Sequence, residues 1–192
     1  MTTILQTLRQ EHRNIARLLD ALEHQVEILA EGKRPDYDLL QNIATYFCDY
    51  PDRCHHPKED AVFRRLQTKC PEQAAKVGDL ASEHRSTAAR VRRFRDNIQA
   101  LFRDHVMPLS TLVSAAHTFI ESERHHMHME ETIFFPVAES KLEPEDWQSI
   151  ESTLTDARDP LFGEVVEKDF LSLLDRLLAW ESEYRSQPGA GR

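Results

Sequence analysis

The stretch His55-His56-Pro57-Lys58-Glu59-Asp60-Ala61-Val62-Phe63 recurs 71 residues later as His126-Met127-His128-Met129-Glu130-Glu131-Thr132-Ile133-Phe134. Glu11-His12-Arg13 recurs as Glu83-His84-Arg85, 72 residues on. Each half of the chain therefore carries an isolated His and, much later, a His-x-x-x-Glu pair. On a helix the i, i+4 spacing sets both side chains on one face, one turn apart. Four imidazoles (His12, His55, His84, His126) and two carboxylates (Glu59, Glu130) make a donor set suited to two transition-metal ions.

Outward from these pairs the chain reads as helix. Apolar residues at alternating steps of three and four run Leu5, Leu8, His12, Ile15, Leu19, Leu22, Val26, Leu29. The same seam returns as Val77, Leu80, His84, Thr87, Val91, Phe94, Ile98, Leu101. A third runs Leu109, Leu112, Ala116, Phe119, Glu123, His126, Glu130, Ile133, Val137. Between them, Leu40, Ile43, Phe47 and Tyr50 start a seam that changes phase at Pro51 and resumes as His55, Glu59, Val62, Leu66, which predicts a kink there. This spacing belongs to helices packed nearly parallel or antiparallel. Two carboxylates placed on such seams would cost several kcal/mol each if left uncompensated, and divalent cations offset that cost.

The turns place the His residues at one height. The midpoints between His12 and His55, His55 and His84, and His84 and His126 fall at Lys33-Arg34, Lys69-Cys70 and residue 105. Each lies in or beside a Pro- or Gly-containing turn signal. The expected fold is an all-α, up-down-up-down four-helix bundle over residues 1–142, with helices to about residue 31 and over 36–69, 71–104 and 108–141. Two additional C-terminal helices are expected in 143–185, packed on the bundle or at an interface, and a flexible tail in 186–192. The fifth helix should open at Pro144 and stop at Asp159-Pro160. The sixth should carry Phe162, Val166, Phe170, Leu173, Leu177 and Trp180 on one stripe.

Composition narrows the function classes. A formal net charge of −9 argues against a nucleic-acid partner held through phosphates. No apolar run reaches the ~18–20 residues needed to cross a bilayer. Three scattered cysteines (Cys48, Cys54, Cys70) do not make a disulfide framework, so a cytoplasmic location is expected. His24, His105, His117, His125 and His128 read as surface or supporting residues. His56 and Asp60 form a competing i, i+4 pair, but repeat alignment and seam continuity favour His55 and Glu59.

These residues resemble the hemerythrin-like, or HHE cation-binding, proteins, and the resemblance spans nearly the whole chain. Asp159-Pro160-Leu161-Phe162-Gly163 is also similar to the C-terminal extension of bacterial members. The resemblance implies a non-heme di-iron centre with carboxylate and oxo bridges, manganese or zinc being substitutes. His12 and His55 would bind one ion, His84 and His126 the other, and Glu59 and Glu130 would bridge them. Classical oxygen carriers have a second His one turn from the third-helix ligand, where this chain has Leu80 and Ala88. The pattern is closer to the four-His, two-Glu subset, which implies a protein that binds or responds to O2, NO, peroxide or iron. The alternative is a di-iron oxidoreductase acting in nitric oxide or peroxide reduction or iron–sulfur repair. A ferritin-like coordination is a weaker reading: Glu123-Arg124-His125-His126 fits its Glu-x-x-His form, leaving Glu123 a candidate to orient a ligand His. The C-terminal helices are the candidates for a homodimer contact.

Overall fold

The computed structural model describes residues 3–102, 108–155 and 158–185, so the turn around residue 105 and the tail 186–192 lie outside the described residues. Among the described residues the chain is helical with no strand, as the periodicity requires. Helix α1 spans Thr3–Ala30. The second rod joins α2 (Tyr37–Tyr50) and α3 (His56–Lys69) through a wide π turn at Pro51–His55. A short α4 (Pro71–Val77) leads into α5 (Leu80–Phe102). The fourth rod joins α6 (Leu109–Met129) and α7 (Phe135–Lys141) through a second π turn, Glu130–Phe134. Two further helices follow, α8 (Pro144–Glu151) and α9 (Leu171–Arg185).

The seams predicted for α1 and the described part of α5 are buried throughout, from Leu5 to Leu29 and from Leu80 to Ile98. The fourth rod departs from its predicted seam at Ile133, which is 41 % exposed, while Phe134 and Phe135 are fully buried. The π turn is the reason. It accommodates one extra residue and rotates everything after it by one position. The kink expected near Pro51 is the equivalent π turn of the second rod.

Three other expectations are corrected. The third rod is not one helix over 71–104, because Gly78 takes φ +94° and breaks it. Asp79 then opens α5 by accepting from the Ser82 amide at 3.0 Å. The fifth helix ends at Glu151 rather than at Asp159-Pro160. The sixth begins only at Leu171, after a single tight turn, so Phe162 and Val166 pack on the bundle from irregular chain. A turn at Asp159 causes that irregularity: its carboxylate accepts from the Leu161 and Phe162 amides at 2.8 and 3.0 Å, and from the Tyr46 hydroxyl at 3.1 Å. A side chain at Gly163 would bring its Cβ to 2.5 Å from the Asp159 carbonyl oxygen, so that position needs glycine.

Helix α9 lies on the bundle. Leu173 and Leu177 join the core with α2 residues, Arg17 pairs with Glu181 at 2.6 Å, and Arg176 pairs with Asp36 and Asp38. Helix α8 is pinned by Asp146, which accepts from Arg65 at 2.8 Å and from the Glu143 amide at 2.9 Å, and pairs with Lys69 at 2.9 Å. Asp146→Ala removes this cap and should cost about 2 kcal/mol, seen as a lower midpoint in urea unfolding. An unchanged midpoint would mean that the cap contributes nothing.

The core falls into two apolar clusters. One gathers Ile4, Leu5, Leu8, Val62, Leu66, Leu80, Phe134 and Phe135. The other runs from Ile15, Ile43 and Phe94 to Phe119 and the α9 leucines. All the buried His residues, with Glu11, Glu59, Glu123 and Glu130, occupy the layer between them.

Candidate metal centre

That polar layer is built by four rods, each contributing at the same height. Helix α1 supplies Glu11 and His12. The first π turn and the start of α3 supply His55, His56 and Glu59. Helix α5 supplies His84, and the end of α6 with the second π turn supplies Glu123, His126, Glu130 and Glu131. Ring centroids lie 5.0 Å apart for His12 and His55, and 5.0 Å apart for His84 and His126.

Two groups of donor atoms result, each gathered within 4.8 Å: His12, His55, Glu59 and Glu130, and His56, Glu59, His84 and His126. Glu59 belongs to both. Its Oε1 lies 3.1 Å from His55 Nε2 and 3.5 Å from His12 Nε2, and its Oε2 lies 3.3 Å from His84 Nε2. Glu130 is placed likewise, 3.4 Å from His12, 3.7 Å from His84 and 3.2 Å from His126. Both carboxylates are fully buried.

Proximity here does not amount to hydrogen bonding. Both oxygens of Glu59 and of Glu130, with Nε2 of His12, His84 and His126, are buried without a hydrogen-bond partner. Four carboxylate oxygens and three ring nitrogens converging in a dry layer are costly on their own. A cation accepts a lone pair from each of them, so the residues present fit a metal. Imidazole with carboxylate, and no thiolate, suits iron or manganese.

The far ring nitrogens are held by a second set of carboxylates. His55 Nδ1 meets Glu11 at 2.9 Å, His12 Nδ1 meets Glu131 at 3.0 Å, and His56 Nδ1 meets Asp52 at 3.1 Å. His84 Nδ1 lies 3.6 Å from Asp60. Glu11, Glu131 and Asp52 thereby fix the rings of His55, His12 and His56, an arrangement typical of metal-binding His. Lys58 anchors Glu11 at 2.6 Å and Arg9 anchors Glu131 at 3.0 Å. Phe135 stacks on His12 at 5.3 Å.

Electrostatics in the layer follow from these contacts. Burial opposes charge on His12, but Glu130, Glu131 and Glu59 overcome it and push the ring to about 12. The same contest raises His55 to about 9 and His84 to about 10. Burial lowers His56 and His126, and raises Glu123 to about 7.

All six residues singled out in the sequence converge, and His56 joins them. In the sequence His56 competes, through its i, i+4 pair with Asp60, and loses to His55 on repeat alignment and seam continuity, since a regular helix turns adjacent residues about 100° apart. The π turn removes that restriction. Glu131, one residue past Glu130, sits behind His12 rather than in Glu130's place. Glu123 is buried, but neither its Oε2 nor either ring nitrogen of His126 has a hydrogen-bond partner, so no contact supports its expected role of orienting that ring. Glu11 and Asp52 had weak signals: adjacency to His12, and i, i+4 spacing to His56. Of the His residues expected outside the centre, His125 and His128 are exposed, His24 and His117 are half-buried, and His105 lies outside the described residues. Cys54 points away, its thiol donating to the Arg158 carbonyl at 3.3 Å.

Beyond the site, no helix among the described residues is long and apolar enough to cross a membrane. The family model described as Hemerythrin HHE cation binding domain matches residues 3–138. No curated protein matches the chain.

Proposed function

This chain belongs to the hemerythrin HHE cation-binding family, and from that premise we propose a non-heme di-iron protein that binds a small diatomic molecule or peroxide. His12 and His55 would hold one ion and His84 and His126 the other, with Glu59 and Glu130 shared between them. The observation that carries this reading is the convergence of unpartnered donor atoms from both carboxylates between the two groups of imidazoles. Two iron ions held side by side supply a place where O2, NO or peroxide can bind and exchange electrons.

The chain's own residues do the rest. Glu11 and Glu131 hold the far nitrogens of His55 and His12, so each of these rings offers its inner nitrogen already oriented, and Asp60 lies near the far nitrogen of His84. The apolar clusters above and below close the two ends of the layer and leave both bridging carboxylates fully buried, which strengthens the electrostatic interactions at Glu59 and Glu130. Manganese or zinc fits the same donors with different reactivity.

Anaerobic titration with ferrous iron, followed by air, tests the reading. The expected result is two irons per chain and a new near-ultraviolet charge-transfer band. Saturation at one iron, or none, would end it.

A further inference from the structure

We infer that His56 is a third imidazole ligand on the His84 side, which makes the two metal positions unequal and the His84-side ion the exchangeable one. The inference rests on the two-ion reading above and adds a residue to it.

The backbone comes first. The His56 amide donates to the Pro51 carbonyl, five residues back, which widens the turn. Pro57 has no N–H to return to the Arg53 carbonyl four residues back, and Lys58 Nζ donates to the Cys54 carbonyl at 2.7 Å. Two prolines thus frame a turn in which neighbouring residues His55 and His56 are both buried, at 3 % and 6 % exposure. Such wide turns are rare and concentrate at functional sites.

The ring geometry comes second. His56 lies face to face with His84, centroids 3.8 Å apart and planes 9° from parallel, and 6.4 Å from the His126 ring. Its donor atom gathers with those of Glu59, His84 and His126 within 4.8 Å. Asp52 holds Nδ1 from one turn back, as Glu11 holds His55. A structural His satisfied by Asp52 alone would not need to lie buried face to face with His84.

The surroundings of the two positions differ. A cleft of about 500 Å³ is lined by His56, His84, Asp52, Asp60, Ala81 and Ala88, with Pro57, Arg85 and Arg92 completing its wall. The small side chains of Ala81 and Ala88 leave the His84 side within reach of solvent. On the other side Phe135 stacks on His12 and Tyr50 lies over His55, 6.3 Å away. An ion at the His84 position therefore lies beside this cleft, whereas the rings of His12 and His55 are covered by Phe135 and Tyr50.

Iron-loaded full-length protein is challenged with an excess of a strong chelator, and release is followed by stopped flow and by metal content. Wild type should release its ions in two phases, with two distinct Mössbauer doublets. His56→Ala should speed one phase by about tenfold or more and leave the other unchanged, since even supporting partners of ligands alter affinity by ~10–100-fold. Asp52→Asn should speed the same phase less, and His125→Ala, at an exposed ring, should change nothing. Should His56→Ala fail to fold, the Asp52→Asn result decides in its place. Two ions with release unchanged in both His56→Ala and Asp52→Asn would overturn the assignment. A wild type holding a single ion would sink the two-ion reading instead; His56 then stands as a ligand if His56→Ala loses that ion, and falls if it keeps it.

Discussion

Glu59→Gln is expected to abolish tight binding at both metal positions, whereas His126→Gln should empty only one. Glu59 is the residue common to both donor groups, fully buried, with neither oxygen hydrogen-bonded. Gln keeps its shape but removes the charge and one of the two anionic donors. A ligand present at a thousandfold excess over its dissociation constant stabilises a fold by about 4 kcal/mol. In a domain of this size that amounts to roughly 8–16 °C of melting temperature. Wild type should therefore melt about 10 °C higher with ferrous iron than with chelator, and Glu59→Gln should show almost no difference. A Glu59→Gln protein that still binds two irons and keeps the full shift would show that the centre lies elsewhere.

The repeat of His and His-x-x-x-Glu, with apolar steps of three and four, is enough to set four rods side by side and bring His12, His55, His84 and His126 to one layer. Those features are local and periodic, so a sequence carries them openly. The π turns at Pro51–His55 and Glu130–Phe134 are different. Each adds one residue to a turn, and its consequence, the inward rotation of His56 or of Phe134, shows up only as a phase error in a pattern. Pro51 signalled the first; the second has no proline at its start and only Pro136 beyond it, placed as Pro57 is beyond the first. The carboxylates behind the rings were hidden for another reason. The contacts of Glu131 with His12 and of Glu11 with His55 join separate rods, so no spacing along the chain encodes them.

Metal-free protein is expected to lose stability steadily as pH rises from about 6.5 to about 10, while iron-loaded protein does not. In the metal-free fold, burial disfavours the charged rings, yet the carboxylates around them win and raise His55 to about 9, His84 to about 10 and His12 to about 12. Each ring holds its proton more tightly folded than unfolded. Its contribution is therefore complete below its ordinary value near 6.5 and fades as pH climbs through the raised one. Glu123 pushes the same way at the start of this range, because burial raises it to about 7 and ionising it costs stability. His56 and His126 are shifted down by burial, so their cost falls on the acid side and leaves the alkaline limb untouched. Coordination replaces those protons by metal, so the loaded protein has no protons of this kind to lose and instead weakens on acidification, as protons compete for the ligands. The gap between the melting temperatures of loaded and chelated protein should consequently widen between pH 6.5 and 10. Melting curves that stay parallel across that range would mean that the imidazoles which titrate are not those that hold the metal.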